Sequence, residues 1–472
     1  MEARRIAQWM EDFWRGHIVS ALCDYIRIPN QSPGFDPAWQ ENGFLDQAVQ
    51  LVADWAQRQG VSGVRVEAVQ LSGRSPLLVL EAPGDVDRTA LLYGHLDKQP
   101  PFEGWEEGLG PYSPVIRDDR LYGRGGADDG YSAFAIVAAL ACLAEYRLPR
   151  PRCVALIETS EESGSKDLPA YLDLLRERIG NPNLVVALDS GCGDYERLWV
   201  TVSLRGLVNG LLSVEVLREG IHSGAGSGVV PSSFRIARHL LARIEDAATG
   251  QMLVPELWAP IPPEREREAR AMADVVGGQF LAGIPLLPGV QPVTADLVEL
   301  LLNRTWRPQM EITGAAGIPL PQSAGNVLRP MTQLKLSVRL PPPVNATAAA
   351  LALKQAVERE PPYGARVSFQ CSEAATGWCA PPSEPWLEEC LRRASEKYFG
   401  APPCFMGEGG TIPFMAMLGQ MFPRAQFVVT GVLGPNSNAH GPNEFLHLPT
   451  AWRISAVLVD VLSALAMEVA EQ

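Results

Sequence analysis

Residues 89–97 read TALLYGHLD: six uncharged residues, then His95 and Asp97 standing two apart. An apolar run of strand length with no polar alternation has the pattern of a β-strand covered on both faces, as in a parallel sheet. The same pattern recurs in SPLLVLEA (75–82), RCVALIE (152–158) and NLVVALD (183–189). Helical periodicity fills the intervals, at Ile6 to Tyr25, Phe44 to Arg58 and Tyr131 to Tyr146. Strands alternating with helices predict an α/β architecture, a mostly parallel sheet with helices on both faces.

Beyond Leu198 the pattern changes. LWVTVSLRGLVNGLLSVEVL (198–217) alternates as two half-buried strands, and SSFRIARHLLARIEDA (232–247) reads as a helix. A stretch rich in proline and charge runs from Leu253 to about Gly317 with no element assigned to it, and the Pro-rich pieces read as loops. MTQLKLSVRLPP, the helix ATAAALALKQAVERE and the strand ARVSFQC follow. The α/β signature then returns in EPWLEECLRRASEKYF, AQFVVTGVL and a closing helix at 450–469. The expected organisation is an α/β domain in two parts, 1–204 and 373–472, interrupted by an α+β insertion, 205–372.

The chain has 472 residues and a formal net charge of −14, distributed rather than gathered in a tail. With no basic footprint, neither nucleic acid nor an anionic membrane is an expected partner. The N-terminal stretch lacks the apolar core of a secretory leader, and no run reaches the roughly 18 uncharged apolar residues of a membrane span. Eight cysteines occur without a CxxC pair. They read as reduced thiols, which points to the cytoplasm.

Open parallel sheets bind ligands beyond the carboxyl ends of their strands, and here those ends collect polar residues. His95 has the placing of a metal ligand, with Asp97 accepting a hydrogen bond from its other nitrogen. A glycine-rich loop, GRGGADDG (123–130), delivers Asp128 and Asp129 to a helix start, where one of them is open to a capping role. CVALIETSEESGS (153–165) ends in Glu158, Glu161 and Glu162. Adjacent carboxylates repel unless a cation or a proton separates them. NLVVALDSG ends in Asp189, and FVVTGVLGPNSNAHGPNE leads through a Gly/Asn loop to His440. A mixed nitrogen and oxygen donor set suits Zn²⁺, with Mn²⁺ or Co²⁺ as substitutes, and the lack of cysteine argues against a closed structural zinc site.

In this order, YGHLDKQP, LYGRGGADDG, ETSEESGS, ALDSG, GIHSG, LSVRLPP, GEGGTIP and AHGPNE span residues 93 to 444. The set resembles the M20 family of metallopeptidases, and within it the carnosinase-like dipeptidase branch. The resemblance implies two divalent metal ions: His95, Asp128 and Asp189 on one, Asp128, Glu162 and His440 on the other, with Asp128 bridging. It makes Glu161 the general base and Asp97 the support of His95. The insertion becomes a lid and homodimerisation domain, whose His222 polarises the scissile carbonyl in the neighbouring subunit. Arg339 matches a position for the substrate carboxylate, Asn326 is a further polar contact, and Glu408, Gly410 and Thr411 line the pocket around the substrate's amine and backbone. The family's lysine after the paired acidic positions is replaced by Gly130 and Tyr131.

The expected chemistry is amide hydrolysis. A water shared by two cations loses its proton near neutrality, and Glu161 carries that proton to the leaving amine. A bidentate Arg339 predicts a free C-terminal carboxylate on a dipeptide or short peptide. Two alternatives stay open: an N-acyl amino acid (acetyl or succinyl) deacylase using the same site, and a non-catalytic metal-binding dimeric scaffold.

Overall fold

A computed structural model describes residues 2–282 and 284–468, so Val469, assigned above to the closing helix, lies outside the described residues. The strands of the two large sheets are numbered here along the chain: β1 Arg65–Val69, β2 Leu77–Ala82, β3 Thr89–His95, β4 Arg152–Glu158, β5 Leu184–Ala187, β6 Trp199–Leu204, β7 Gly206–Glu215, β8 Gln309–Ala316, β9 Met331–Leu340, β10 Arg366–Ala375, β11 Trp378–Cys379, β12 Cys404–Glu408 and β13 Gln426–Val429.

Among the described residues the larger sheet has nine strands in the order β1-β2-β4-β3-β5-β13-β6-β11, with β12 also on β6. The expected parallel pairing holds for the centre: β4, β3, β5 and β13 all run the same way. The margins differ, since β1–β2, β2–β4, β13–β6 and β6–β11 are antiparallel. The sheet is therefore mixed.

TALLYGH is buried on both sides because its neighbours cover it on both sides. Ala90 and Leu92 join a cluster with helices Tyr131–Tyr146 and Leu448–Met467. Leu91 and Tyr93 join another with Leu168–Leu174 and Pro413–Met421. Each such leucine withdrawn from water contributes about 1.5–3 kcal/mol. Two helices, Gly126–Tyr146 and Leu448–Met467, are long and apolar enough to cross a membrane, contrary to the sequence reading, but both are largely buried in this core.

The smaller sheet, β8-β9-β7-β10, is antiparallel throughout. Helices Ser233–Leu241 and Ala346–Glu358 cover one face, against which Leu334, Leu336, Val338 and Leu340 of β9 are buried. Strand period two turns Ser337 and Arg339 to the opposite face. The chain passes between the sheets at Arg205, the one residue between β6 and β7, and returns between β10 and β11.

The segment 253–317 is more ordered than its composition predicts. It holds helices Pro263–Val276, Gln279–Ala282 and Leu297–Thr305 as well as β8. Arg265, Ala269 and Met272 are the buried residues of the first helix, four and three apart as one helical face requires. Ala269, Met272, Leu301 and Trp306 pack with Trp199, Cys404 and Met406 of the larger sheet, so the segment is anchored on both sides of the crossing.

Candidate metal centre

His95 ends β3, fully buried, at the carboxyl edge of the sheet. Its Nε2 lies 3.4 Å from Asp128 Oδ1, 3.8 Å from Asp189 Oδ2 and 4.0 Å from Glu161 Oε2. The other oxygen of Asp128 is 2.9 Å from His440 Nε2, which also stands 3.1 Å from Glu162 Oε2. Two ligand groups result, His95–Asp128–Asp189 and Asp128–Glu162–His440, each with donor atoms within 4.8 Å of one another and sharing Asp128.

Each side chain is brought there by its backbone. β3 and β4 are parallel with His95 opposite Glu158, so the turn Glu161–Ser163 lies beside the histidine. Asp97 locks that turn: its Oδ1 accepts the N–H of Glu161 at 3.1 Å and its Oδ2 the N–H of Glu162 at 3.0 Å. His95 Nδ1 is 3.4 Å from Asp97 Oδ1 and 3.2 Å from the Asp97 carbonyl. Asp97 thus serves the pair of glutamates at least as directly as it serves His95. Gln99 donates to Glu162 Oε2 at 2.7 Å.

The glycine loop and the His440 loop are tied by a buried ion pair absent from the sequence expectations. Arg124 Nη1 lies 2.6 Å from Glu444 Oε2, both side chains being almost wholly buried. Glu444 Oε1 accepts the N–H groups of Gly125, Ala127 and Asp128, and Arg124 donates to the Gly441 carbonyl at 2.7 Å. Glu444 thereby fixes Asp128 while Arg124 holds the loop of His440. The two residues stand in separate motifs, an arginine in one glycine loop and a glutamate in the other, 320 positions apart.

Neither aspartate caps helix Tyr131–Tyr146. Asp129 instead accepts the N–H of His95 at 3.2 Å, and the Asp128–Asp129 peptide is cis. Where the family carries lysine, a side chain at Gly130 would stand 2.2 Å from the Tyr25 ring. Only glycine fits there. Glu158 is held by Tyr93 at 2.6 Å, Ser165 at 2.8 Å and Ser160 at 3.0 Å.

The electrostatics ask for cations. Burial, with Asp189 beside it, pushes Glu161 well above the usual carboxylate range, and burial with Asp128 raises Glu162. Asp189 is pushed up to about 7, chiefly by burial. Burial works against protonating the histidines, yet Asp128 and Glu162 carry His440 up to about 11, and Asp128 and Asp97 raise His95. The carboxylates thus favour positive charge at both imidazoles. Buried His95 Nε2 nevertheless has no hydrogen-bond partner. An orphaned imidazole nitrogen among carboxylate oxygens, with a second imidazole beyond a shared carboxylate, fits a pair of divalent cations.

The expected substrate contacts fall in two places. Glu408 Oε1 accepts from Ser190 Oγ and Gly191 N, both at 2.9 Å, next to Asp189. Arg339 donates to Thr411 Oγ1 at 3.0 Å, and Thr411 to the Arg205 carbonyl at 2.7 Å, with Gly410 exposed alongside. His222 and Asn326 lie elsewhere, both exposed, on the short paired strands Ile221–His222 and Val327–Leu328 and the residue before them. His222 Nδ1 accepts the N–H of Gly224, and Asn326 O accepts that of Ser223. Within one chain neither has a hydrogen bond or ion pair to the carboxylate and imidazole cluster among the described residues.

The chain is similar to known proteins over most of its length. The family described as peptidase family M20/M25/M40 matches residues 91–465. The cysteinylglycine-S-conjugate dipeptidase of Corynebacterium striatum is 28% identical over 381 residues, 78% of each chain. The human beta-Ala-His dipeptidase is 25% identical over 455 residues, 92% of this chain and 87% of that one. The crystal structure of human carnosine dipeptidase 1 superposes with a TM-score of 0.75 at 21% identity, covering 99% of both chains.

Proposed function

This chain belongs to peptidase family M20/M25/M40, and from that premise we propose that it is a metal-dependent dipeptidase acting on peptides with a free C-terminal carboxylate. The observation that carries the reading is the shared Asp128, one oxygen toward each imidazole, beside a Glu161 that belongs to neither ligand group.

His95, Asp128 and Asp189 would hold one ion and Asp128, Glu162 and His440 the other; the nitrogen and oxygen donors suit zinc, with manganese or cobalt as substitutes. Bound ions supply Lewis acidity and make a water at the site easier to deprotonate. Glu161 is the general base: its carboxylate sits at the cluster, and burial raises its proton affinity. Asp97 fixes Glu161 through the backbone. Arg339 offers its fork to the terminal carboxylate, and the Glu408 carboxylate, with Gly410 and Thr411, borders the amine and backbone of the substrate.

His222 and Asn326 would act across a homodimer built through residues 205–372, the lid, with His222 meeting the scissile carbonyl of the partner's substrate. Their exposure and distance from the cluster's own contacts support a role between subunits. All eight cysteines are free, which supports the cytoplasm as the compartment.

The test is a dipeptide panel, with N-acetyl and N-succinyl amino acids beside it, on protein whose metal content is measured. Glu161→Gln should keep its metal and lose roughly 10²–10⁴ in kcat. Wild-type turnover by Glu161→Gln would remove the mechanism, and hydrolysis of N-acyl compounds alone would move the substrate class.

A further inference from the structure

Beside Arg339 a cavity of about 550 Å³ opens between the uncovered face of the smaller sheet and the helices of segment 253–317. Three arginines line it: Arg205 at the crossing between sheets, Arg304 from helix Leu297–Thr305, and Arg339 from β9. Among the described residues none of the three has a carboxylate within ion-pair distance. Arg205 is nine-tenths buried, and its guanidinium donates only to the carbonyls of Gly409 and Asn303, at 3.2 and 3.3 Å. Arg304 lies over the Phe280 ring at 5.5 Å. Burial, then Arg339 and Arg304, bring Arg205 down to about 10, so the three charges oppose one another.

A buried cation such as Arg205 is costly unless a counter-charge arrives. A single terminal carboxylate occupies one fork, that of Arg339, and leaves buried Arg205 uncompensated, with the exposed Arg304 lining the same cavity. The rest of the wall mixes hydrocarbon, from Phe280, Leu281, Ile284 and Leu286, with polar side chains that include one carboxylate, Glu311, so the arginines outnumber the acids three to one. Guanidinium groups and apolar side chains in one cavity fit an anion carried on a short methylene stem. The centres adjoin Arg339, which faces the C-terminal residue, whereas the Glu408 carboxylate repels an anion on the other side of the scissile bond.

Resting on the dipeptidase reading, we infer that the cavity of Arg205 and Arg304 is a specificity subsite for an anionic side chain on the C-terminal residue, so that the preferred substrates end in glutamate. Arg304 is the determinant this chain adds, from a segment outside the motifs that carry the family resemblance.

The experiment compares kcat/KM for Ala-Glu, Ala-Gln and N-succinyl-alanine in wild type and Arg304→Gln, the last a change at an exposed position. Wild type should prefer Ala-Glu over Ala-Gln by roughly 10- to 100-fold, the range of one charge-assisted contact, and Arg304→Gln should bring that ratio toward one. Equal rates on Ala-Glu and Ala-Gln in wild type, an unchanged ratio in the variant, or faster cleavage of N-succinyl-alanine would overturn the assignment. Calorimetry of the metal-loaded protein with L-glutamate against L-glutamine reads the subsite without turnover. If no dipeptide is cleaved but glutamate binds at least tenfold more tightly than glutamine and Arg304→Gln removes the difference, the subsite stands and the dipeptidase reading falls. Equal binding of the two amino acids counts against the subsite itself.

Discussion

Each oxygen of Asp97 takes one backbone N–H, so this carboxylate sets where Glu161 and Glu162 stand before either meets a ligand. Asn at position 97 keeps the shape but offers one acceptor oxygen, and its amide then faces an N–H it cannot accept. Asp97→Asn should lower kcat and metal affinity together by roughly 10- to 100-fold, with Asp97→Ala lower still and KM little changed. A titration with zinc beside steady-state kinetics checks this, and loss of activity at unaltered metal affinity would confine Asp97 to the base alone. At this scale the sequence was readable where a polar residue ended an apolar strand, as at His95, Asp189 and Glu158. It was opaque at Arg124 and Glu444, because their meaning comes from a pairing across 320 residues. A charge in a glycine loop reads as solvated until its partner is known. Arg205 is similar: the boundary expected at 204/205 marks where one unit gives way to the next, but nothing in SLRGLV says that the arginine is buried without a carboxylate partner.

Among the elements, strands and amphipathic helices were legible by period, and Phe44–Arg58 and Tyr131–Tyr146 match their expected bounds. Helix Pro263–Val276 was not, because only a thin buried face interrupts its charges. The junction between strand Phe445–His447 and helix Leu448–Met467 shows how an element boundary can carry a titration. His447 occupies the N-cap position, 2.8 Å from Thr450 Oγ1, and its ring lies 4.3 Å from that of Tyr195. Burial, then Arg453 and Arg120, hold it down at about 4 against an ordinary value of 6.5. The positive end of the helix adds to that preference for the neutral ring. The folded chain therefore binds fewer protons here than the unfolded one, so this stability is present above pH 6.5 and is lost as pH falls toward 4. Thermal melting at pH 7 and pH 5 should show a smaller loss for His447→Gln than for wild type. Equal losses would contradict the assignment.

For the whole molecule, the separation of His222 from the cluster has a measurable counterpart. If His222 serves the partner's site, Glu161→Gln and His222→Ala are each inactive alone yet complementary in one dimer. Random exchange of equal amounts makes half the dimers mixed, each with one intact composite site, so activity should recover to about one quarter of wild type. Recovery depends on subunit exchange, which light scattering on the mixed sample follows independently. Exchange without recovery would place His222 outside the partner's chemistry. The proposal of a composite site rests on family resemblance, since a monomeric chain's periodicity says nothing about a neighbour.

The position of β13 has a consequence for biosynthesis. It lies between β5, which ends at Ala187, and β6, which ends at Leu204, yet its own residues begin at Gln426. A chain emerging from the ribosome must therefore carry β5 with an unclosed edge while more than two hundred further residues are made. At typical translation rates that is an interval on the order of tens of seconds. An unpaired strand edge exposed for so long is open to association with other nascent chains, and the smaller sheet, whose strands all lie within that interval, is complete before the larger one can close.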